Sequence, residues 1–253
     1  VTDRSVSNFP SDDSSWSRRG FLRTAAALTA VPCLIAADPA AAAAELPDFP
    51  AGVTPTRTAY RNWDGEITVT GLWACAPDGP DQVVAVVNWA WRHGWTVRPR
   101  GAAHGWAPLT VPEGTPSDAR VLLLDTTAHL TGLALESADT VRAGTGVTLE
   151  ALLTFLEEHG LGVTAGPAPG VLTLGGALAV DAHGTAVPAR GEQRLPGHTY
   201  GSLSNLVLSL TAVVWDAARG AYVLRTFTRD EADCAALLTH LGRSLVTEVV
   251  LRA

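Results

Sequence analysis

The chain has 253 residues, enough for one large domain or two small ones, and its 47% hydrophobic and 17% charged content excludes a disordered protein. A formal charge of -7, with 18 scattered basic residues that are all arginine, excludes a nucleic-acid partner. Three cysteines are too few for a disulfide framework.

Residues 1–44 read as a twin-arginine signal peptide. Ser17-Arg18-Arg19-Gly20-Phe21-Leu22 is the motif, and Ala25 to Ala37 is the apolar stretch behind it. Ala40 to Ala44 offers small-residue cleavage sites. The apolar stretch, about a dozen residues, is too short for a stable membrane span. A secreted protein is expected, exported already folded, as a cofactor inserted before export requires; an anchor or a disordered tail is the competing reading. Cys33 falls in this segment, which leaves Cys75 and Cys234 as buried free thiols or a pair.

Residues 45–66 are Pro-rich and largely aperiodic, an extended arm, with a short strand over Glu66 to Thr70 at its end. Asp81 to His93 carries Val83, Val84, Val87 and Trp91 at helical spacing, capped by Asp81 and stopped by Gly94. Thr96 to Pro99 is a strand entering a glycine-bearing loop, Arg100 to Gly105. Val121 to Asp125 and Thr140 to Ala143 are further strands. Thr148 caps a helix running to His159, with Leu149, Leu152, Leu153 and Leu156 on its apolar face. Leu206 to Trp215 and Ala221 to Thr226 form a hairpin around Asp216 to Gly220. Arg229 to Leu241 is predicted helical, and Leu245 to Leu251 is a closing strand that would expose apolar surface without a partner domain. The pattern is α+β in two small lobes.

Three loops carry the chemistry. In Val97-Arg98-Pro99-Arg100-Gly101-Ala102-Ala103-His104-Gly105-Trp106 a strand delivers small residues and one histidine. Glycines there let N–H groups turn inward as a nest for a diphosphate, with Arg98 or Arg100 supplying charge. An ordinary turn with a solvated histidine is as good a reading of these residues alone. In the second loop, Thr173 caps a short helix whose first turn holds Gly175 and Gly176, so that N–H groups could meet an anion. Close packing of small residues, as in Ala177-Leu178-Ala179, explains it equally. The third, His198-Thr199-Tyr200-Gly201-Ser202-Leu203-Ser204-Asn205, offers backbone contacts or is a plain loop.

Other motifs fail. Gly144-Thr145-Gly146 has Leu149 where a dinucleotide fingerprint wants its third glycine. Asp181 and His183 have no further ligands at metal spacing, so no metal is expected. His93, His159 and His240 read as cations closing helices, and His129 has no assignable role. The eight tryptophans, five of them between Trp63 and Trp95, read as lobe-packing residues rather than a stacking surface for nucleic acid.

Together the three loops resemble the PCMH-type FAD-binding domain of the vanillyl-alcohol-oxidase family. More narrowly, they resemble the flavin half of bacterial cholesterol oxidases with covalent FAD. The carrying segments are Tyr60 to Trp63, Val87 to Ala90, Arg98 to Leu109, Gly175 to Ala179, Asp181 to Thr185 and Thr199 to Asn205. The resemblance implies a two-lobed domain over 67–253, with a small mixed-sheet lobe, a larger antiparallel lobe and flanking helices. It implies FAD bonded through His104, with Arg100, Gly101, Ala102, Ala103, Gly105, Trp106 and Leu109 in the same loop. Leu174, Gly175, Gly176, Ala179, His183, Gly184, Gly201, Ser202 and Asn205 would line the remainder. It further implies oxidation of a sterol 3β-hydroxyl to a ketone, O2 as acceptor giving H2O2, and Δ5 to Δ4 isomerisation in the full-length enzyme. Such enzymes continue past the point matching Ala253 into a substrate domain that carries the sterol cavity and the acid/base groups. No catalytic residue is therefore assigned, and this piece alone is expected to be inactive. An oxidase acting on a sugar or other alcohol, or a non-catalytic flavin-binding module, is the alternative.

Overall fold

The computed structural model describes residues 46–185, 187, 189–193 and 201–253. The twin-arginine segment and His198, Thr199 and Tyr200 lie outside the described residues. Two sheets organise the rest. The first holds β1 (Thr56–Arg61), β2 (Thr68–Cys75), β3 (Thr96–Arg100) and β4 (Val121–Asp125) in the order β1-β2-β4-β3. β1 runs antiparallel to β2, whereas β4 runs parallel to both β2 and β3, so the sheet is mixed. The second holds β5 (Leu133–Ser137), β6 (Thr140–Gly144), β7 (Val207–Asp216), β8 (Ala221–Thr228) and β9 (Leu245–Arg252) in the order β5-β6-β9-β7-β8, antiparallel throughout.

Helix α1 (Pro80–His93) makes the crossover from β2 towards β3. It begins on Pro80 at its first turn, with Gly79 at the cap and no side-chain cap bond, so Asp81 serves the helix dipole rather than capping it. Gly94 in the left-handed region ends it, as the sequence indicates. Val83, Val86, Val87, Trp89 and Ala90 face inward. Trp91, assigned to the apolar face from spacing, is 59% exposed and instead meets Trp215 and Tyr222 of the β7–β8 hairpin. Trp73 and Trp89 are fully buried in this lobe; a buried aromatic of this kind contributes about 3 kcal/mol or more. Asn88 ties the helix to the second sheet. Its Nδ2 donates to Tyr222 O at 2.9 Å and its Oδ1 accepts from Tyr222 N–H at 2.8 Å, a substitute partner for edge strand β8.

Helices α2 (Leu149–Glu158) and α3 (Leu174–Ala179) cover the second sheet, and α4 (Ala235–Leu238) follows β8. Thr148 and Thr173 cap α2 and α3 through hydroxyls that accept from Ala151 and Gly176 N–H. Leu152, Leu156, Leu174, Leu203, Leu206, Leu210, Val249 and Leu251 share one core. Leu153 is 41% exposed and lies off it.

Several elements differ from the sequence reading, which has no strand at β5. The N-terminal arm is interrupted by β1, which pairs with β2 along its length. β2 extends to Cys75 because the break in alternation is a bulge: Gly71 sits at φ 74 where the β1–β2 register shifts between Thr58 and Tyr60. The helix expected over Arg229 to Leu241 is only a 3-10 turn, Ala232–Cys234, and α4. β9 is not a free closing edge; β6 and β7 flank it on both sides. Cys75 and Cys234 are both buried and unpaired, and burial pushes the Cys75 thiol up to about 12. Among the described residues no helix is long and apolar enough to cross a membrane.

Candidate functional site

The Gly101–Gly105 loop, the α3 N-terminus and the loop ahead of β9 meet around a cavity of about 210 Å³. Its walls include Gly101, Ala102, Ala103, His104, Gly105 and Leu109 from the first, and Gly175, Gly176 and Ala179 from the second. This is a locus where the first sheet ends on β3 and the second is entered at β9.

The first loop leaves four of its amides without protein partners among the described residues. Ala103 stands at φ 53, a conformation that costs a residue with a Cβ about 1 kcal/mol. Among the described residues, the N–H groups of Ala102, Ala103, His104 and Gly105 donate to no protein acceptor. His104 faces the cavity, half-buried, and neither ring nitrogen has a hydrogen-bond partner among the described residues. Gly101 is required for a different reason than diphosphate contact: a Cβ there would collide with the Thr173 hydroxyl.

The second loop corrects the anion-binding expectation. Leu174, Gly175 and Gly176 N–H are already used, donating to Val147 O, Thr145 O and the Thr173 hydroxyl. Gly175 is small because a Cβ would sit 2.8 Å from Thr145 Cβ. Close packing, the alternative weighed for this motif, is what the glycines do; they shape the wall and do not cradle charge through these amides. Leu174 is buried in the core beneath and is not part of the wall.

Arg100 turns away, 3.9 Å from the Asp125 carboxylate. Arg98 makes no ion pair among the described residues, and burial followed by the nearby Arg243 charge lowers its pKa. Trp106 stands outside the wall, 66% exposed and stacked on Trp63. His183, Gly184, Gly201, Ser202 and Asn205 form a separate group. His183 bridges to Ser202, Leu203 N–H donates to Ala182 O, and a Cβ on Gly184 would lie 2.6 Å from Gly166 O. None of these five lines the cavity.

Several wall residues were not legible as such. Thr145 is buried, its hydroxyl donating to Val246 O at 2.7 Å, and of the Gly144-Thr145-Gly146 segment that fails as a fingerprint it is the residue that lines the cavity. Thr126, Leu241, Gly242 and Ser244 also line the cavity. Leu241 and Gly242 take φ 53 and 69, and Leu241 N–H pins that loop to Ala179 O at 2.8 Å. A turn signal in Leu241-Gly242 was available, but the helical reading of that stretch ran over it. His129, without a role in the sequence reading, lies 3.3 Å from Asp78. Among the described residues no cluster of three side chains could hold a metal ion.

His240 was read as a cation at a helix end, yet it lines the cavity and burial lowers its pKa to about 4. Its Nδ1 accepts from Ser244 N–H at 3.4 Å, which places the proton of the neutral ring on Nε2. An unfolded histidine titrates near 6.5, so between pH 6.5 and 4 the unfolded chain binds more protons. Stability from this group is complete above pH 6.5 and is lost as pH falls towards 4, by about 3 kcal/mol. Denaturant titrations at pH 7 and 4.5 should show a smaller acid loss in His240→Gln than in the unmutated chain.

The cavity suits a flat aromatic ligand carrying phosphates. Its volume falls below the roughly 300–1,000 Å³ of whole-ligand pockets, so it would take one ring system, with the rest of a dinucleotide along the exposed rim of Ala102, Gly105 and Gly176. On one wall stand N–H groups and an imidazole whose nitrogens have no hydrogen-bond partner among the described residues. The residues present fit FAD.

The FAD binding domain family matches residues 73–218, more than half of the chain, and the chain belongs to that family. Solved structures narrow the likeness. A solvent-stable cholesterol oxidase is 53% identical, with a TM-score of 0.79 over 81% of this chain and 39% of its own. The cholesterol oxidase of Brevibacterium sterolicum is 48% identical, with a TM-score of 0.78 over 82% of this chain and 38% of its own. The chain thus spans about two fifths of the length of these oxidases. An alkyldihydroxyacetonephosphate synthase, 16% identical with a TM-score of 0.57 over 74% of this chain and 32% of its own, shares the fold. Comparison with curated proteins finds no match.

Proposed function

We propose that this chain is the flavin-binding portion of an exported sterol oxidase that holds FAD covalently on His104. The observation that carries the reading is the wall itself. One tight loop places an imidazole whose nitrogens have no hydrogen-bond partner among the described residues beside four N–H groups that donate to none of them. The likeness to cholesterol oxidases at about half identity supports the substrate class. Bound FAD would supply hydride acceptance from the sterol carbon that bears the 3β-hydroxyl and would pass two electrons to O2, giving H2O2. The chain's own part is to fix the ring through His104, to receive phosphate oxygens on the amides of Ala102 to Gly105, and to close the site with Thr145, Thr173 and neutral His240. Isomerisation of the ring double bond and the acid/base groups for both steps belong, on this reading, to the substrate domain of the full-length enzyme. The twin-arginine motif at Arg18-Arg19 supports export.

The test of substrate class is anaerobic bleaching of the flavin band in the full-length enzyme that carries this domain. Cholesterol should bleach it and air should restore it with one H2O2 per sterol. Bleaching by a hexose, with cholesterol inert, would transfer the chain to the sugar oxidases. No bleaching by any alcohol would make it a non-catalytic flavin module.

A further inference from the structure

The turn joining β1 to β2, which the sequence reading places in the arm, grips the His104 loop from behind. Asn62 is 2% exposed. Its backbone N–H donates to Ile67 O at 3.0 Å, its Oδ1 accepts from Ile67 N–H at 2.9 Å, and its Nδ2 reaches Gly105 O at 3.3 Å. The next residue, Trp63, donates its N–H to Ala103 O at 2.9 Å. The carbonyls on either side of His104 are therefore held by two consecutive residues of one turn. Ala103 is kept in the left-handed region, strain that survives only where neighbours over-determine it.

The Trp63 side chain continues the grip. Its indole stacks on the His104 imidazole with centroids 4.8 Å apart and planes 29° from parallel. Trp106 stacks on the same indole at 6.0 Å and 5°. Trp63 is 59% exposed, so this alignment is not bought by burial. Imidazoles at reactive centres are ordinarily oriented by a hydrogen bond to the second ring nitrogen. His104 has none among the described residues; the indole lies over the face of the imidazole and limits its tilt instead.

We propose that Trp63 is a positioning residue for His104, its indole setting the imidazole plane in which a ring nitrogen meets the flavin 8α carbon. The inference rests on the covalent attachment proposed above. In that step a ring nitrogen of His104 loses its proton and gains a bond to the 8α carbon, which loses one hydrogen. The two protons and two electrons released reduce one O2 to H2O2. Trp63 takes part in none of these transfers; it limits the imidazole to one orientation, and misorientation of a reacting group costs on the order of 100-fold in rate.

The experiment follows attachment in the whole chain, expressed without FAD and then mixed with it in air. Total flavin is read on the native protein by absorbance, and attached flavin is read on the acid precipitate over time. Trp63→Leu and Trp63→Phe are compared with the unmutated chain. Trp63→Leu should bind total flavin as the unmutated chain does and attach it 10- to 100-fold more slowly. Trp63→Phe, which restores a flat ring, should recover most of that rate. Attachment by Trp63→Leu at the unmutated rate overturns the proposal. So does a parallel loss of total and attached flavin in both variants, since that marks a structural role. Acid release of all flavin from the unmutated chain overturns the attachment itself, and is a different result from either.

Discussion

His104→Ala protein should release all of its flavin on acid precipitation, whereas the unmutated chain should keep it in the pellet. The effect is all-or-none because one bond is at stake. The fold should register the change little: the ring is half-buried, makes no hydrogen bond among the described residues, and stacks on the Trp63 indole. Loss of a half-buried ring with no hydrogen bond should cost about 1 kcal/mol, the centre of the range for single substitutions. The variant should therefore still turn yellow with added FAD, because the amides of Ala102 to Gly105 and the walls of Thr145 and Thr173 are intact. Fluorescence of the acid supernatant separates the outcomes. A colourless His104→Ala supernatant from a yellow protein would place the bond on another residue.

The second large effect is on stability. A Cβ on Gly146 would collide with the backbone carbonyl of Thr126 and lie 3.0 Å from Leu130 O, atoms that cannot swing aside as a side-chain end can. Gly146 N–H also donates to Leu130 O at 2.8 Å, which holds the turn in place. Thr126 follows β4 of the first sheet and Gly146 follows β6 of the second, so the added methyl wedges apart the two halves of the cavity wall. Overpacking of this kind costs about 3 kcal/mol, which lowers the melting temperature by about 6–12 °C in a domain of this size. Gly162→Ala, where a Cβ meets nothing within 4 Å, is the control and should melt with the unmutated chain. Equal melting of the two variants would contradict the wedge.

What could be read in advance followed from periodicity and punctuation. α1 and α2 are amphipathic, and Gly94 and Thr148 mark ends whose physics is local. The hairpin at Asp216 is written in its turn, where the carboxylate accepts from Ala218 and Arg219 N–H. The residues of the His104 loop alone left a solvated turn as good a reading as a ligand loop; it was the resemblance carried by the three loops together that singled it out. Long-range facts were hidden. Nothing local tells that Thr145 O would use the Gly175 N–H, or that Leu241 would fold back onto Ala179. β1 has no strong apolar run; it is a strand because β2 offers it an edge. His240 looks like a helix-end cation until burial removes its charge. Trp63 was counted with the packing tryptophans, and only the fold brings it to His104.

The central claim is that His104 carries the flavin, and its most direct measurement is the mass of one peptide. Trypsin cleaves after Arg100 and Arg120, and the segment between them contains a single histidine, His104, and no cysteine. From yellow, denatured protein the 101–120 peptide should appear at its own mass plus that of FAD less two hydrogens, and fragmentation should leave the increment on His104. Recovery of that peptide wholly at its unmodified mass, from protein that was yellow when native, would contradict the account.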